Sequence, residues 1–158
     1  ILVIGKGMAS GLPVGAFVAS HEMMATLQDA PKLGHITTFG GNPVIAAASL
    51  ATLHELTESQ LISLTLEKEK RFRELLVHPL IKEVRGKGLM LALIMENEEI
   101  ANHLVLKAAK KYLILFCLLF EQKAVLISPP LTISIQEISL GCDLIIEILN
   151  DYMQGSVN

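Results

Sequence analysis

A lysine between two glycines is the first feature of this chain that could carry chemistry. Lys6 lies between Gly5 and Gly7, so a small molecule could approach its amine without hindrance from neighbouring side chains. Partial burial would favour the uncharged amine, which attacks carbonyl groups to form a Schiff base. An ordinary turn lysine has the same neighbours, and the tripeptide alone leaves both interpretations open. Nucleotide binding is a weak hypothesis, because the spacing matches neither a Walker loop nor a dinucleotide fingerprint.

Two threonines and a diglycine precede a strongly predicted helix. Thr37 and Thr38 stand shortly before Asn42, which could cap a helix that begins at Pro43. Because the first amides of a helix have no partner within it, this segment could bind an anion. A capped helix that follows a tight turn accounts for the same residues. His35 could titrate near neutral pH, but a histidine beside a glycine is typical of a loop, and we assign it no role.

Two further motifs favour structural interpretations. Arg85, Lys87 and their two glycines could bind a carboxylate, but a turn that enters a strand explains the motif equally well. Pro129 and Pro130 follow a branched apolar run and predict the end of a strand in extended geometry. We therefore expect a turn at the first motif and a strand end at the second.

The elements that must position these residues follow from the apolar pattern. Ile1–Ile4 predicts a short buried strand, since its apolar side chains leave no polar face for water, and Gly5–Gly11 predicts a loop. Pro13–Ser20 predicts a second strand and His21–Gln28 a short helix. An alanine-rich series with proline in its first turn predicts a helix over Pro43–Thr57. The first part of the chain thus alternates strand, loop and helix, like one edge of a larger sheet.

The second part of the chain is predicted to be a self-contained α+β unit. Ser59–Val77 has apolar residues on one side of a helix. Charged residues on its other side are expected to face water: Glu67, Lys68, Lys70 and Arg71. Leu89–Met95 predicts a strand and Glu98–Lys111 predicts a helix. Two short strands are expected at Leu113–Phe116 and Val125–Ser128.

The final helix has a clear start signal. Ser134 and Glu137 have the spacing of a capping box, and Ile133 and Ile138 are placed for a hydrophobic staple. We expect this helix to end near Gly155. Its buried face is predicted to hold Ile138, Cys142, Ile145, Leu149 and Tyr152.

Composition excludes several classes of function. The chain has 158 residues and a mass of 17.2 kDa, with 51% hydrophobic and 18% charged residues. A net charge of −3 without long charged runs argues against binding to nucleic acid. The longest apolar run, Tyr112–Phe120, is less than half of the roughly 20 residues that a membrane helix needs, so we expect no membrane span. Cys117 and Cys142 predict reduced thiols in a cytoplasmic protein, with neither a disulfide framework nor a metal site.

Four segments of the chain, taken in order, resemble a known family. The first is Ile4–Ala16, which holds Lys6, and the second is His35–Pro43. The third is Val84–Met90 and the fourth is Ser128–Ile133. Together they resemble the C-terminal part of the class III aminotransferases. These pyridoxal-phosphate-dependent enzymes include ornithine, acetylornithine and 4-aminobutyrate aminotransferases, and the similarity extends through nearly the whole chain.

The resemblance implies roles for three residues. Lys6 matches the lysine that holds pyridoxal 5'-phosphate as an internal aldimine and shuttles a proton between the substrate Cα and the cofactor C4′. Thr38, next to Thr37, matches the residue whose hydroxyl and amide reach the cofactor phosphate of the neighbouring subunit in the family's dimer. We therefore assign Thr37 and Thr38 to the cofactor-binding site and expect a homodimer formed through the large domain. The residue types agree, because such a lysine needs a dry, constrained position and a helix start can bind an anion.

The sequence departs from the family pattern at one position. An arginine that binds the substrate carboxylate commonly stands three residues before the first proline of the Pro-Pro pair, and Leu126 occupies that position here. Leucine cannot form a bidentate pair with a carboxylate. We therefore expect either that other residues bind the substrate or that this protein is an altered family member with impaired activity. The family's phosphate cup, ring-stacking aromatic and ring-pairing aspartate belong to an upstream half that is not in this sequence.

The resemblance predicts an α/β fold that is a fragment of a fold-type I pyridoxal-phosphate-dependent transferase. Residues 1–58 would be the end of the large domain with its sheet, and residues 59–158 the small C-terminal α+β domain. The implied function is transfer of an amino group from an ornithine-like or ω-amino donor to a 2-oxo acid. Since the chain opens in an apolar run without Met, we expect a fragment of a longer polypeptide. By itself it should have little or no turnover, because a lysine-bound cofactor without its ring partner and phosphate cup loses orientation and electronic tuning. The alternative is a noncatalytic interaction or structural module that lacks the upstream cofactor site.

Overall fold

The structure, a computed structural model, describes residues 1–28 and 36–155. It divides into two compact units, unit 1 (Ile1–Gln60) and unit 2 (Leu61–Asn158). Both units combine helices with antiparallel strands, which gives the mixed α/β composition expected from the sequence. His35, considered above as a titratable residue, lies outside the described residues. Among the helices of the described ranges, none is long and apolar enough to cross a membrane.

Unit 1 begins with a two-stranded antiparallel ribbon. Strand β1 (Leu2–Ile4) pairs with strand β2 (Ala16–Val18). The connection holds a 3-10 helix, the lysine turn (Lys6–Ala9), where the sequence predicted an irregular loop. The strand predicted over Pro13–Ser20 is wrong at both ends, because only the three residues of β2 pair with β1.

The first strand is exposed in unit 1, so the prediction that it is buried is wrong. Strand β1 forms where it was predicted, but Ile1 and Val3 are 83% and 77% exposed. Each strand of the ribbon is three residues long, and among the described residues each pairs with the other alone. A two-stranded ribbon of this length has too little surface to bury such side chains by itself.

Two helices complete unit 1. Helix α1 (His21–Ala25) is shorter than the predicted segment and is capped by Ser20, whose hydroxyl accepts a hydrogen bond from a backbone amide. Helix α2 (Pro43–Glu58) confirms the alanine-rich helix predicted from the sequence. Pro43 occupies its first turn, where a missing amide removes no helical hydrogen bond.

A four-stranded antiparallel sheet and three helices form unit 2. In chain order the strands are β3 (Ile81–Lys87), β4 (Met90–Met95), β5 (Phe116–Leu118) and β6 (Glu121–Ile127), and the sheet order is β3-β4-β6-β5. The helices are α3 (Thr65–Leu75), α4 (Glu98–Lys110) and α5 (Ile135–Gly155). Leu93, Leu104 and Leu149 are fully buried in one core that the sheet and all three helices share. The apolar area removed from water there is the main stabilising contribution to unit 2.

The capping box predicted for the last helix is confirmed. Glu137 Oε2 accepts hydrogen bonds from the Ser134 amide and hydroxyl, both at 2.7 Å, and the Ser134 hydroxyl accepts from the Glu137 amide at 3.2 Å. This reciprocal pair is the predicted capping box. Helix α5 ends at Gly155 as expected, and its predicted face is buried except for Tyr152, which is half-buried.

Other elements of unit 2 differ from the prediction in extent. The helix predicted over Ser59–Val77 is wrong at its start, because residues 59–64 form bends and turns before α3. Strand β3 was not predicted from the sequence. Its two apolar residues, Ile81 and Val84, are three positions apart and half-buried, so they do not show the alternation of a strand with one covered face. The strand expected at Leu113–Phe116 is observed as β5, displaced toward the C-terminus. The strand expected at Val125–Ser128 is observed as β6, which begins earlier, at Glu121.

Lys68 is buried, contrary to the expectation that it faces water. Its side chain is 7% exposed, and Nζ donates a hydrogen bond to the Leu131 carbonyl at 2.5 Å. Lys68 lies four residues before Phe72, a core residue of α3, so the two side chains share a helix face. The hydrogen bond therefore ties the segment after β6 to α3.

Glu69 joins α3 to the hairpin of β3 and β4. Its Oε2 accepts a hydrogen bond from the Gly88 amide at 2.6 Å, and its Oε1 lies 2.8 Å from the Arg73 guanidinium. Arg73 also donates to the carbonyls of Val84 and Gly86 in β3. The Gly88 amide, and then Arg73, hold the pKa of the Glu69 carboxyl below its ordinary value.

Replacing Glu69 by glutamine is expected to lower the free energy of unfolding by about 1–2 kcal/mol at pH 7, because charge-assisted hydrogen bonds become neutral ones. Since folding lowers the pKa of this carboxyl, its contribution is present above the unfolded-state pKa and is lost as the pH falls through the folded-state value. Urea unfolding of both proteins from pH 7 to pH 3 measures this, and the two stabilities should converge in acid.

Glu74→Gln is the matched control on the same helix. Its carboxylate is half exposed and lies 3.8 Å from Lys70 and from Arg71, so its removal should change stability by less than about 0.5 kcal/mol. Equal effects of the two substitutions at pH 7 would contradict the role given to Glu69.

Candidate active site

Lys6 is the first residue of the lysine turn and follows β1 closely. Its backbone is left-handed with a φ of 52°, a conformation that residues other than glycine rarely adopt. Its side chain is exposed, and its amine forms no hydrogen bond or ion pair within residues 1–28 and 36–155. The expected constraint on the lysine backbone is therefore present. The expected dry position is not formed by unit 1, because its short ribbon and helices leave the lysine open to water.

The predicted cofactor-binding threonines lie in an exposed loop, the threonine loop (residues 36–42). Both Thr37 and Thr38 are exposed. The Gly40 amide donates to the Thr37 carbonyl at 3.1 Å, which closes a tight turn. A Cβ on Gly40 would come within 2.9 Å of Thr37 Oγ1, so any larger residue would require the Thr37 side chain to shift.

The start of α2 is capped by its own chain. Asn42 Oδ1 accepts hydrogen bonds from the amides of Val44 and Ile45 at 3.0 and 3.3 Å. These are two of the amides that could otherwise bind an anion. The structure thus favours the capped-helix interpretation of the helix start, and it leaves the hydroxyls of Thr37 and Thr38 as the groups open to a ligand.

The lysine turn and the threonine loop border one cleft in unit 1 with a volume of about 480 Å³. Met8 of the lysine turn and Thr37 of the loop lie on its wall, together with Ser49 of α2. In the described part of the chain, no hydrogen bond joins Lys6 to Thr37 or Thr38. The structure therefore brings the two predicted segments to one surface without bringing the amine and the hydroxyls into contact.

The Pro-Pro region of unit 2 presents an apolar surface. Leu126, at the position where the family commonly has an arginine, lies in β6 between Ala92 of β4 and Phe116 of β5. It is half-buried and borders a pocket of about 310 Å³ that Pro129 and Ile114 also line. Because hydrocarbon side chains form no hydrogen bonds, Leu126 offers a carboxylate no partner here.

Arg85 does not provide an open carboxylate site. Its guanidinium lies 2.7 Å from Glu83 Oε2 on the same strand. This pairing raises the pKa of Arg85 and lowers that of the Glu83 carboxyl, and both side chains are exposed. An external carboxylate would have to displace Glu83. The turn expected at this motif is observed only at Gly88, which lies in the hairpin between β3 and β4, whereas Arg85, Gly86 and Lys87 are strand residues of β3.

The cysteines are poor candidates for nucleophiles. Burial raises the pKa of the Cys117 thiol, and it raises that of Cys142 to about 12. A thiol must ionise to react, so neither is activated. Among the described residues, no group of three or more His, Cys, Asp or Glu side chains is placed to bind a metal ion.

Sequence reasoning missed a hydroxyl pair that joins the lysine turn to α2. Ser10, which follows the turn, forms a hydrogen bond with Thr52 at an Oγ–Oγ1 distance of 3.0 Å. The two residues are 42 positions apart, so no local pattern indicates that they meet. Serine and threonine are also common in turns and helices for local reasons, and neither residue type gives a signal by itself.

Comparisons with known proteins bear on the whole chain. The sequence profile of the family described as aminotransferase class-III matches residues 1–149. An acetylornithine aminotransferase from Caldanaerobacter subterraneus subsp. tengcongensis is 34% identical over 157 residues, which cover 96% of this chain. The chain spans 38% of the length of that relative.

Solved aminotransferase structures contain the same fold. The ornithine aminotransferase of Toxoplasma gondii, described with partial occupancy of PLP at its active site, matches with a TM-score of 0.84 and 25% identity over 99% of this chain and 37% of its own. A variant of the thermostable omega transaminase PjTA-R6, engineered for synthesis of bulky amines, matches with a TM-score of 0.84 and 25% identity over 96% of this chain and 38% of its own. The fold is thus that of a fragment of the fold-type I transferases, as the sequence predicted.

The family profile covers both units, and the relatives match over almost the full chain at the level of sequence and of fold. The four collinear motifs found in the sequence agree with this. The chain belongs to the class III aminotransferase family.

Proposed function

We propose that this chain is the C-terminal part of an aminotransferase that uses pyridoxal 5'-phosphate. The observation that carries the proposal is Lys6, which has a left-handed backbone in a turn that borders the same cleft as the threonine loop, in a chain of the class III family. Residues 1–58 would be the end of the large cofactor-binding domain and residues 59–158 the small domain. The cofactor supplies the electron sink of the reaction when it is bound.

Lys6 would attach the cofactor and move the proton at the substrate Cα. Among the described residues, its amine has no hydrogen bond or ion pair that must be broken before it attaches the cofactor. Moving the proton would also require the orientation that a complete site supplies. Thr38, assisted by Thr37, would bind the cofactor phosphate of the neighbouring subunit through its hydroxyl and amide. The exposed hydroxyls of the threonine loop fit an anion in donor type, whereas the capped start of α2 offers fewer free amides.

The substrates would be a small amino donor and a 2-oxo acid. An ornithine-like or ω-amino donor is favoured by the related acetylornithine and ornithine aminotransferases and the omega transaminase. Leu126 implies that this chain does not bind a donor carboxylate at that position, so other residues would do so. The protein would act as a cytoplasmic homodimer formed through unit 1, whose ribbon exposes apolar side chains such as Ile1 and Val3.

A noncatalytic module is the second candidate function. The observation that favours it is the same exposed ribbon, together with a Lys6 amine that is open to water. In that case the ribbon would bind another protein surface, and Lys6 would have no reaction to perform.

Attachment of pyridoxal phosphate to Lys6 separates the two functions. After mixing, reduction with borohydride and peptide mapping by mass spectrometry, we expect the label at Lys6 in preference to other exposed lysines. Lys6→Ala should abolish the preferential label, and Lys107→Ala, which removes another exposed lysine, should leave it intact. A label spread over the surface lysines and unchanged by Lys6→Ala would support the noncatalytic module instead.

A further inference from the structure

The lysine turn is flanked by two strained residues. Lys6 begins it with a φ of 52°, and Ser10 follows it with a φ of 45°. Left-handed conformations of residues with a Cβ are unfavourable and persist where the surroundings hold them in place. Something in unit 1 must therefore stabilise this turn.

Helix α2 provides that support through a hydroxyl pair. The Thr52 hydroxyl forms a hydrogen bond with the Ser10 hydroxyl at 3.0 Å and also donates to the Ala48 carbonyl at 2.8 Å. Each hydroxyl carries one proton and two acceptor positions, so both bonds can form at once if Ser10 donates to Thr52. Thr52 is half-buried on α2, and its position is fixed by the helix.

The packing next to this pair is close. Ala9, the last residue of the lysine turn, is 2% exposed, and Ser49 of α2 is 7% exposed. Ser49 precedes Thr52 by three positions and so shares its helix face. Small residues on both elements let the backbones approach, and the turn is held at two successive residues: Ala9 by burial and Ser10 by its hydrogen bond.

We propose that Thr52 is a positioning residue for Lys6, acting through Ser10. The hydroxyl pair keeps the lysine turn in one backbone conformation and so fixes the point from which the Lys6 side chain leaves the chain, beside the cleft that Met8 and Thr37 border. This inference rests on the proposed role of Lys6. Its effect on the turn can be measured separately from that role.

Amide hydrogen exchange tests the support of the turn. The Ser10 amide donates to the Gly7 carbonyl at 3.1 Å, and the Leu12 amide donates to Ala9 at 3.2 Å. Thr52→Val keeps the shape but removes the hydroxyl, and we expect about three- to tenfold faster exchange at both amides. Thr52→Ser keeps the hydroxyl and should restore the slow exchange.

Thr57→Val is the matched control. Thr57 lies on the same helix, and its hydroxyl donates to the Leu53 and His54 carbonyls within α2, without a partner on the lysine turn. It should leave exchange at Ser10 and Leu12 unchanged. Ser10→Ala removes the other hydroxyl of the pair and should give the same faster exchange as Thr52→Val. It therefore replaces Thr52→Val in the test if that variant fails to fold.

Labelling of Lys6 by pyridoxal phosphate tests the positioning itself. With exposed Lys107 as the internal reference, the ratio of label at Lys6 to label at Lys107 should fall about threefold or more in Thr52→Val and recover in Thr52→Ser. Unchanged exchange in Thr52→Val would overturn the inference. Faster exchange with an unchanged labelling ratio would also overturn it, because Thr52 would then support the fold alone. If the parent chain shows no preference for Lys6, the proposed function fails, whereas the exchange data still decide whether Thr52 holds the turn.

Discussion

Gly86→Ala is expected to destabilise unit 2 by about 3 kcal/mol, the combined cost of a strained backbone and a steric overlap. Gly86 has a φ of 116°, outside the range that residues with a Cβ adopt readily. A Cβ at this position would lie 2.1 Å from the Met90 carbonyl oxygen and 3.0 Å from the Leu91 Cα. Both atoms belong to the backbone of β4, which pairs with β3, so neither can move without breaking the hairpin.

Gly88→Ala is the control in the same hairpin. Gly88 has a φ of 59°, and a Cβ there would meet only the Thr65 side chain at 3.6 Å, an ordinary contact. Its substitution should cost about 1 kcal/mol, the usual penalty of a left-handed residue other than glycine. Urea unfolding monitored by circular dichroism gives both values. Equal destabilisation by the two substitutions would show that the overlap at Gly86 is relieved by a movement of the hairpin.

The position of Gly86 also links the strand to α3. Arg73 donates hydrogen bonds to the carbonyls of Val84 and Gly86 while it pairs with Glu69. A shift of β3 caused by alanine would therefore strain the contact that Glu69 makes with Gly88. Since the two sites share partners, we expect the effects of Gly86→Ala and Glu69→Gln to be non-additive.

Elements with local signals could be predicted from the sequence. Helix α2 has high helix propensity and a proline in its first turn, and α5 combines a capping box with an apolar face. Strand β3 could not be predicted in this way, because its own apolar pattern is weak and it forms by pairing with β4. The burial of Lys68 depends likewise on the Leu131 carbonyl, 63 positions away in the chain.

The candidate site could be predicted only through the family resemblance. The type and spacing of Lys6, Thr37 and Thr38 left structural interpretations open, and the order of several motifs favoured the cofactor-binding interpretation, which stays a prediction. The lysine turn and the pairing of Ser10 with Thr52 could not be predicted, because they require α2 to pack on the turn. The exposure of Lys6 depends on how unit 1 folds, so a sequence pattern could not predict it either.

The chain by itself is expected to transaminate no faster, within about threefold, than pyridoxal phosphate mixed with a simple lysine derivative such as Nα-acetyl-lysine. Orientation of the reacting groups supplies about 7–11 kcal/mol in enzymes, and it requires a site that holds the cofactor at several points. Unit 1 offers an exposed amine and the hydroxyls of Thr37 and Thr38, which do not contact that amine. Attachment without orientation leaves the proton transfer at the substrate Cα as slow as it is in solution.

Production of the 2-oxo acid from ornithine, measured by chromatography at saturating pyridoxal phosphate, checks this expectation. Lys6→Ala should have the same slow rate as the parent chain, although it has lost preferential labelling. This pair of results would separate cofactor attachment from turnover, since the first needs a single accessible amine and the second a complete site. A parent rate about a thousandfold above the reference, lost in Lys6→Ala, would instead mean that the 158 residues hold a working active site, formed by copies of the chain itself.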